Sequence, residues 1–184
     1  MLQSKIALVT GGGRGIGEAV AKILCREGAT VIVSDLNQED CDKIVRSLNL
    51  PEDHLGLEID VSKRTSVTSG LENVLKRYAK APDVVVHAAG IIKPKTLLKM
   101  NDDIFDKVID VNLKGTYLVN QVFANAMKNQ QIKGSIVNIS SMAGNIINDI
   151  HLEIRNVSSF NQFDEIFEYF RQNWVCWTQQ LFGL

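Results

Sequence analysis

The stretch that decides the fold is Thr10-Gly11-Gly12-Gly13-Arg14-Gly15-Ile16-Gly17. Before it, Lys5 to Thr10 (KIALVT) is a short apolar run that reads as a strand buried on both faces. After it, Gly15 to Glu27 carries helical spacing, with Ile16, Val20, Ile23 and Leu24 on one face. A glycine pattern alone is weak evidence, because any flexible turn uses the same residues. Between a strand and a helix it acquires a mechanism. Glycines let backbone approach a pyrophosphate closely. A helix starting near Gly15 aims free N–H groups and a positive dipole end at that anion. Gly11, Arg14, Gly15, Ile16 and Gly17 are therefore candidate dinucleotide-binding residues.

Working outward, Thr30 to Asp35 (TVIVSD) reads as a second buried strand, and Asp35 ends it, 18 residues after Gly17. A carboxylate there can accept hydrogen bonds from both adenosine ribose hydroxyls and would repel a 2′-phosphate, which favours NAD(H) over NADP(H). Arg14 pulls the other way, since a cation in the turn welcomes a phosphate. The plainer role for Asp35 is a loop carboxylate or a helix cap. Gln38 to Leu48 reads as a helix, and Leu55 to Val61 as a third strand. Ser62 is placed to cap a helix reaching about Tyr78. Asp83 to Ala88 (DVVVHA) is a fourth strand. Asn101 could cap a helical region that runs, with a break, to about Asn129, and Ser135 to Ile139 is a fifth strand. Strands alternating with helices imply an α/β fold with a parallel sheet doubly wound by right-handed crossovers. No Gly-Lys-Ser/Thr follows the glycines, so a P-loop is a poor alternative. A methyltransferase could share the glycines and the acid; the later residues argue against it.

Composition bounds the function. The 184 residues are 45% hydrophobic and 22% charged, an ordinary globular balance that argues against disorder. Lys+Arg 20 against Asp+Glu 21 leaves no basic field to hold nucleic acid or an anionic membrane. No apolar run approaches the ~20 residues of a membrane helix. Cys25, Cys41 and Cys176 form no CxxC pair or Cys/His cluster, so no metal site is expected. Their odd number fits a reduced intracellular setting, and the N-terminus shows no secretory or transit segment.

Five ordered motifs then resemble the short-chain dehydrogenase/reductase family. Thr10 to Gly17 matches its TGxxxGxG turn, and Asp60-Val61 its adenine-contacting pair after the third strand. His87-Ala88-Ala89-Gly90 stands where the family has NNAG, and Val111 to Thr116 (VNLKGT) matches VN-x-x-G-[TS]. Gly134 to Gly144 (GSIVNISSMAG) matches the fifth strand and the catalytic serine loop. The resemblance covers about residues 4 to 145. The run from Val84 to Val119 is most similar to the family's 17β-hydroxysteroid dehydrogenases and 3-oxoacyl carrier-protein reductases. It implies a Rossmann-type sheet of order 3-2-1-4-5, a nicotinamide cofactor, and hydride transfer to or from a secondary alcohol or ketone. It implies homo- or hetero-oligomers and the mitochondrial matrix or cytoplasm.

The same resemblance assigns roles. Ser141 aligns with the serine that hydrogen-bonds the substrate oxygen as charge develops. Asn112 would hold a helix kink and a water of the proton relay, or simply cap the second half of the broken helix. Asp60 and Val61 would contact adenine, with a strand-end cap as Asp60's plainer role. Ala89 and Gly90 would let the chain pass close to the cofactor. Ala88 replaces the family's asparagine. His87 reads as a packed or partly exposed histidine rather than a base.

The family's reaction also needs a tyrosine and a lysine four residues later, about a dozen residues past the serine. Here that stretch is Leu152-Glu153-Ile154-Arg155. Tyr169 has Asn173 four residues on, and no lysine follows Lys133. A boundary falls at Gly144/Asn145, giving a dinucleotide-binding domain over 1–144 and an atypical tail over 145–184. The expectation is a truncated sheet, doubtful oligomerisation and little dehydrogenase activity, with a dinucleotide-binding pseudoenzyme or partner subunit as the alternative. One frame later, the codons of Trp174-Val175 and Trp177-Thr178 each contain a glycine codon. That frame permits Ile-Gly-x-x-Gly-x-Ser-Asn-Tyr-Ser-Ala, similar to the family's segment before its lysine. A retained intron or gene-model error beginning near Asn145 is expected.

Overall fold

The computed structural model describes residues 2–95 and 97–140. Ser141 and the tail, with the expected boundary at Gly144/Asn145, lie outside them. One compact unit comprises Met1–Lys93 with Asn101–Ile139; the segment Pro94–Met100 is not part of it and includes a 3-10 turn at Leu97–Lys99.

The first unit alternates strands and helices. β1 (Ile6–Thr10), α1 (Gly15–Arg26), β2 (Thr30–Asp35) and α2 (Gln38–Ser47) come first. β3 (Leu55–Glu58), α3 (Arg64–Tyr78) and β4 (Val84–His87) follow. α4 (Asp102–Val108) runs through a π-helical segment, Ile109–Lys114, into α5 (Gly115–Asn129), and β5 (Ser135–Asn138) closes the order. The sheet is parallel, with five strands in the order β3-β2-β1-β4-β5. This is the Rossmann-type arrangement the motifs implied. Every residue of β1 is buried, as a central strand covered on both faces requires. One core, including Leu8, Ile32, Val85, Leu118 and Phe123, lies on the α3/α5 face. The other, including Val9, Ala21, Val33, Cys41 and Ile44, lies on the α1/α2 face.

Four local readings change. α1 buries Gly17 and Ala21, with Val20 and Leu24 partly buried, while Ile16 is 65% exposed and Ile23 48%. Small residues occupy the packed face because this helix starts against the glycine turn itself. β3 ends at Glu58 rather than Val61. Ser62 does not cap α3; its hydroxyl donates to Asp60 Oδ1 at 2.6 Å, and the helix begins at Arg64 with no side-chain cap. The region from Asn101 to Asn129 has no break. It passes through a π segment, and Asn101 does cap its start, accepting from Ile104 N–H at 3.0 Å.

The register aligns the carboxyl ends of the strands. Thr10 lies beside Ser34 and His87, and His87 lies beside Asn138. Chain order reverses between β1 and β4, so the crevice at this edge is the topological switch point.

Candidate dinucleotide site

The glycine turn sits at that switch point. Gly11 (φ 66°) and Gly15 (φ 59°) adopt left-handed backbone, which other L-residues reach only at a cost. Gly17 is fixed by proximity: a Cβ there would overlap the Gly11 carbonyl. A Cβ on Gly11 would lie 2.7 Å from the Ala89 backbone, so the turn and the β4 loop are in direct contact. Above Gly15 nothing stands within 4 Å of an added Cβ. Arg14, at the N-cap position of α1, provides no side-chain cap. The N–H groups of Gly15, Ile16 and Gly17 lead the helix and have no intrahelical acceptor. The turn is thus a glycine-lined concavity facing a bare, electropositive helix start.

Asp35 stands where sequence placed it. Its Oδ2 accepts from Gly13 N–H at 3.0 Å and its Oδ1 from Leu36 N–H at 2.8 Å. The carboxylate is therefore held against the glycine turn with lone pairs to spare. Asp60 stands two residues past β3: its Oδ1 accepts from Ser62 N–H at 3.1 Å, and its Oδ2 pairs with Lys63 Nζ at 2.9 Å. Burial would push the Asp60 carboxyl up, but hydrogen bonds from Ser62 and Lys63 outweigh it and hold it below the usual range. A cleft of about 400 Å³ opens beside Asp60. Leu36, Ser62 and Val111 line it together with Asp103, Asp106, Lys107 and Asp110 of the α4 region. Val61 is buried, and its side chain abuts Gly115.

Asn112 does not cap α5, whose start has no side-chain cap. Its amide instead pairs with one residue in both directions. Oδ1 accepts from Ile91 N–H and Nδ2 donates to Ile91 O, each at 2.9 Å. Thr116 Oγ1 donates to the Asn112 carbonyl at 2.7 Å, within the π segment. Gly90 lies beside the same amide, 3.5 Å separating a Cβ there from Asn112 Oδ1. Ala89, Gly90, Asn112 and the turn are brought together; Ser141 lies outside the described residues.

Two features escaped the sequence reading. Leu36 and Val111 join the cleft walls, and the signal for both was their place beside the motif residues Asp35 and Asn112. Thr10 locks the crevice floor. Its Oγ1 lies 2.8 Å from His87 Nδ1 and 3.4 Å from Ala89 N–H. His87 is 2% exposed, and burial pushes its pKa down to about 4. It is a neutral packed histidine. Among the described residues no cluster of His, Cys, Asp and Glu could hold a metal, and no helix is long and apolar enough to cross a membrane.

A parallel sheet of this order is a Rossmann-type fold, and the short chain dehydrogenase family pattern matches residues 5–150. The chain belongs to that family. It is 43% identical over 155 residues to the human (3R)-3-hydroxyacyl-CoA dehydrogenase, covering 80% of this chain and 59% of the relative. It is 38% identical over 144 residues to the 3-oxoacyl-[acyl-carrier-protein] reductase FabG of Thermotoga maritima, covering 78% and 58%. The crystal structure of 3-ketoacyl-(acyl-carrier-protein) reductase from Brucella melitensis complexed with NADH superposes with a TM-score of 0.72 at 27% identity, covering 78% and 60%. The chain spans about three fifths of the length of these relatives.

Proposed function

We propose that this chain holds NAD(H) in the crevice between β1 and β4, and that as written it turns over little or no substrate. The glycine turn carries the first part: Gly11 and Gly17 pack backbone against backbone with no room for a Cβ, and the space over Gly15 stays open to a pyrophosphate. Asp35 would take the adenosine ribose hydroxyls. The cleft at Asp60, Leu36 and Val111 would take the adenine. Asp103, Asp106 and Asp110 outnumber Lys107 along one wall of that cleft, which disfavours an added 2′-phosphate in the same sense as Asp35 and against Arg14. Ala89 and Gly90 would pass beneath the nicotinamide end, with Asn112 fixing the backbone of Ile91.

The bound cofactor supplies hydride transfer to or from a secondary alcohol or ketone. The family names favour a 3-hydroxyacyl or 3-oxoacyl thioester; a 17β-hydroxysteroid is the other substrate in view. The residues of this chain must move the proton. Ser141 would hydrogen-bond the substrate oxygen. The tyrosine that would donate or accept the proton, and the lysine that would lower its pKa, have no counterpart in 141–184. An unassisted phenol, with pKa about 10, is a poor base at neutral pH, and loss of a positioned proton donor typically slows a reaction by about 10²–10⁴.

Calorimetric titration separates the two halves of the proposal. NADH is expected to bind at least ~10-fold more tightly than NADPH, with Asp35→Asn narrowing the gap. No heat with either dinucleotide would overturn the binding half. Turnover of a 3-oxoacyl thioester or estradiol above about a hundredth of an intact relative's rate would overturn the other.

A further inference from the structure

We propose that His87, Asn120 and Asn138 form a site for one internal water, set between α5 and the carboxyl ends of β4 and β5. Three buried polar atoms of the described residues have no hydrogen-bond partner: His87 Nε2, Asn120 Oδ1 and Asn138 Oδ1. Leaving such atoms unpaired is costly, and native interiors pair nearly all of them.

Their placement brings them together. His87 and Asn138 are register neighbours on adjacent parallel strands, so their side chains share a face. That is the α5 face, because Val85 and Ile136, two residues earlier on each strand, pack with Phe123 and Met127 of α5. Met127 lies over Gly134, at the foot of β5: a Cβ on Gly134 would be 2.6 Å from its sulfur. Asn120 is two helical turns before Met127, on the same side of the helix and about 10 Å along it. Asn138 is four residues beyond Gly134, about 13 Å along the strand. Helix and strand run in opposite senses, as a crossover requires, so Asn120 arrives above Asn138 and His87.

The hydrogen-bond chemistry fits one ligand. The Thr10 hydroxyl accepts from Ala89 N–H, and since His87 Nδ1 is the acceptor in its reach, the proposal gives its proton to Nδ1. The imidazole proton therefore resides on Nε2. The three orphans are then one donor and two acceptors, which one water satisfies by accepting once and donating twice. Three polar partners are the usual complement of a buried water. The site joins the roots of two loops, His87 leading into Ala88-Ala89-Gly90 and Asn138 leading toward Ser141. It stands independently of dinucleotide binding.

The test uses the full ¹⁵N-labelled chain without cofactor. Long-range ¹H–¹⁵N correlation is expected to show His87 neutral and protonated on Nε2, with a direct cross-relaxation peak from that proton to a long-lived water. The peak should be lost in Asn138→Leu, and a high-resolution crystal structure should place one water within hydrogen-bond reach of all three atoms. An Nδ1-protonated ring, an Nε2 proton with no water peak, or direct bonding of His87 Nε2 to either asparagine would overturn the proposal. The wild-type spectra and crystal decide it even where the leucine variant fails to fold.

Discussion

His87 and Asp83 make the fold acid-sensitive in two separable steps. Unfolded, His87 takes a proton near pH 6.5; folded, burial delays this to about 4. Between those values the unfolded chain binds more protons, so stability falls as pH drops, by on the order of 3 kcal/mol in all. Asp83 acts lower. Its buried carboxylate pairs with Lys80 at 2.7 Å and Lys5 at 3.2 Å, and accepts from Ile6 N–H at 3.0 Å. Burial alone would raise its pKa, but these bonds, Lys80 foremost, hold it below the usual value. The stabilisation it gives is present above the unfolded carboxylate pKa near 4 and is lost as pH falls through the depressed folded one. Urea midpoints measured at pH 7, 5.5 and 4.5 should therefore fall steadily in the wild type, and His87→Asn should flatten that slope. Asp83→Ala should cost about 2–4 kcal/mol at pH 7, since it orphans the Ile6 amide and both lysines. An unchanged pH slope in His87→Asn would contradict the buried neutral assignment. Sequence shows a strand-borne histidine in an asparagine's place and leaves packed and partly exposed open; the structure makes it packed. Sequence could not show the Thr10 partner, because 77 residues separate them and only the β1–β4 register joins them.

At the scale of elements, what was legible followed local periodicity, and what was missed depended on a distant contact. All five strands and their order agree with the alternating pattern and the motifs. The packed face of α1 was misjudged because Gly17 carries no hydropathy signal, yet its hydrogen is all that fits against Gly11. Gly17→Ala should accordingly abolish dinucleotide binding while Gly15→Ala, strained in φ but with open space, should cost about 1 kcal/mol of stability. Comparing the two by calorimetry and thermal melt checks whether proximity or conformation governs the turn. The sequence predicts a break between Asn101 and Asn129, and the structure has a π segment at Ile109–Lys114 instead. There the Asn112 amide pairs with the Ile91 backbone, and Gly115 lies against Val61, where a Cβ would be 2.9 Å from a methyl carbon. Such bulges inside helices recur at functional sites. Asn112→Ala should remove about 1–3 kcal/mol by orphaning the Ile91 N–H and carbonyl. In hydrogen exchange, faster exchange at Ile91 than at Ala88 would locate that loss.

For the molecule as a whole, the question is whether the crevice and the sheet form one cooperative structure in this chain. The crevice is assembled from the ends of β1, β2 and β4, from the start of α1 and from the π segment. It therefore exists only when the central sheet is folded. β5 lies at the end of the described sheet with Val137 45% exposed and Ile139 41% exposed, an apolar edge of the kind that invites association. A ligand that binds only the folded state stabilises it by mass action, about 2.7 kcal/mol at a hundred times its Kd. For a chain of this size that is a rise in Tm of roughly 5–10 °C. NADH at such excess should produce that rise, NADPH at the same concentration a smaller one, and Asp35→Asn should bring the two together. The shift should appear without consumption of NADH when a 3-oxoacyl thioester is added, because stabilisation draws only on the crevice contacts whereas turnover needs the tyrosine–lysine pair that 141–184 lack. A cooperative melt that neither dinucleotide moves would leave a folded sheet without a working crevice, and the glycine turn would then be only a connection between β1 and α1.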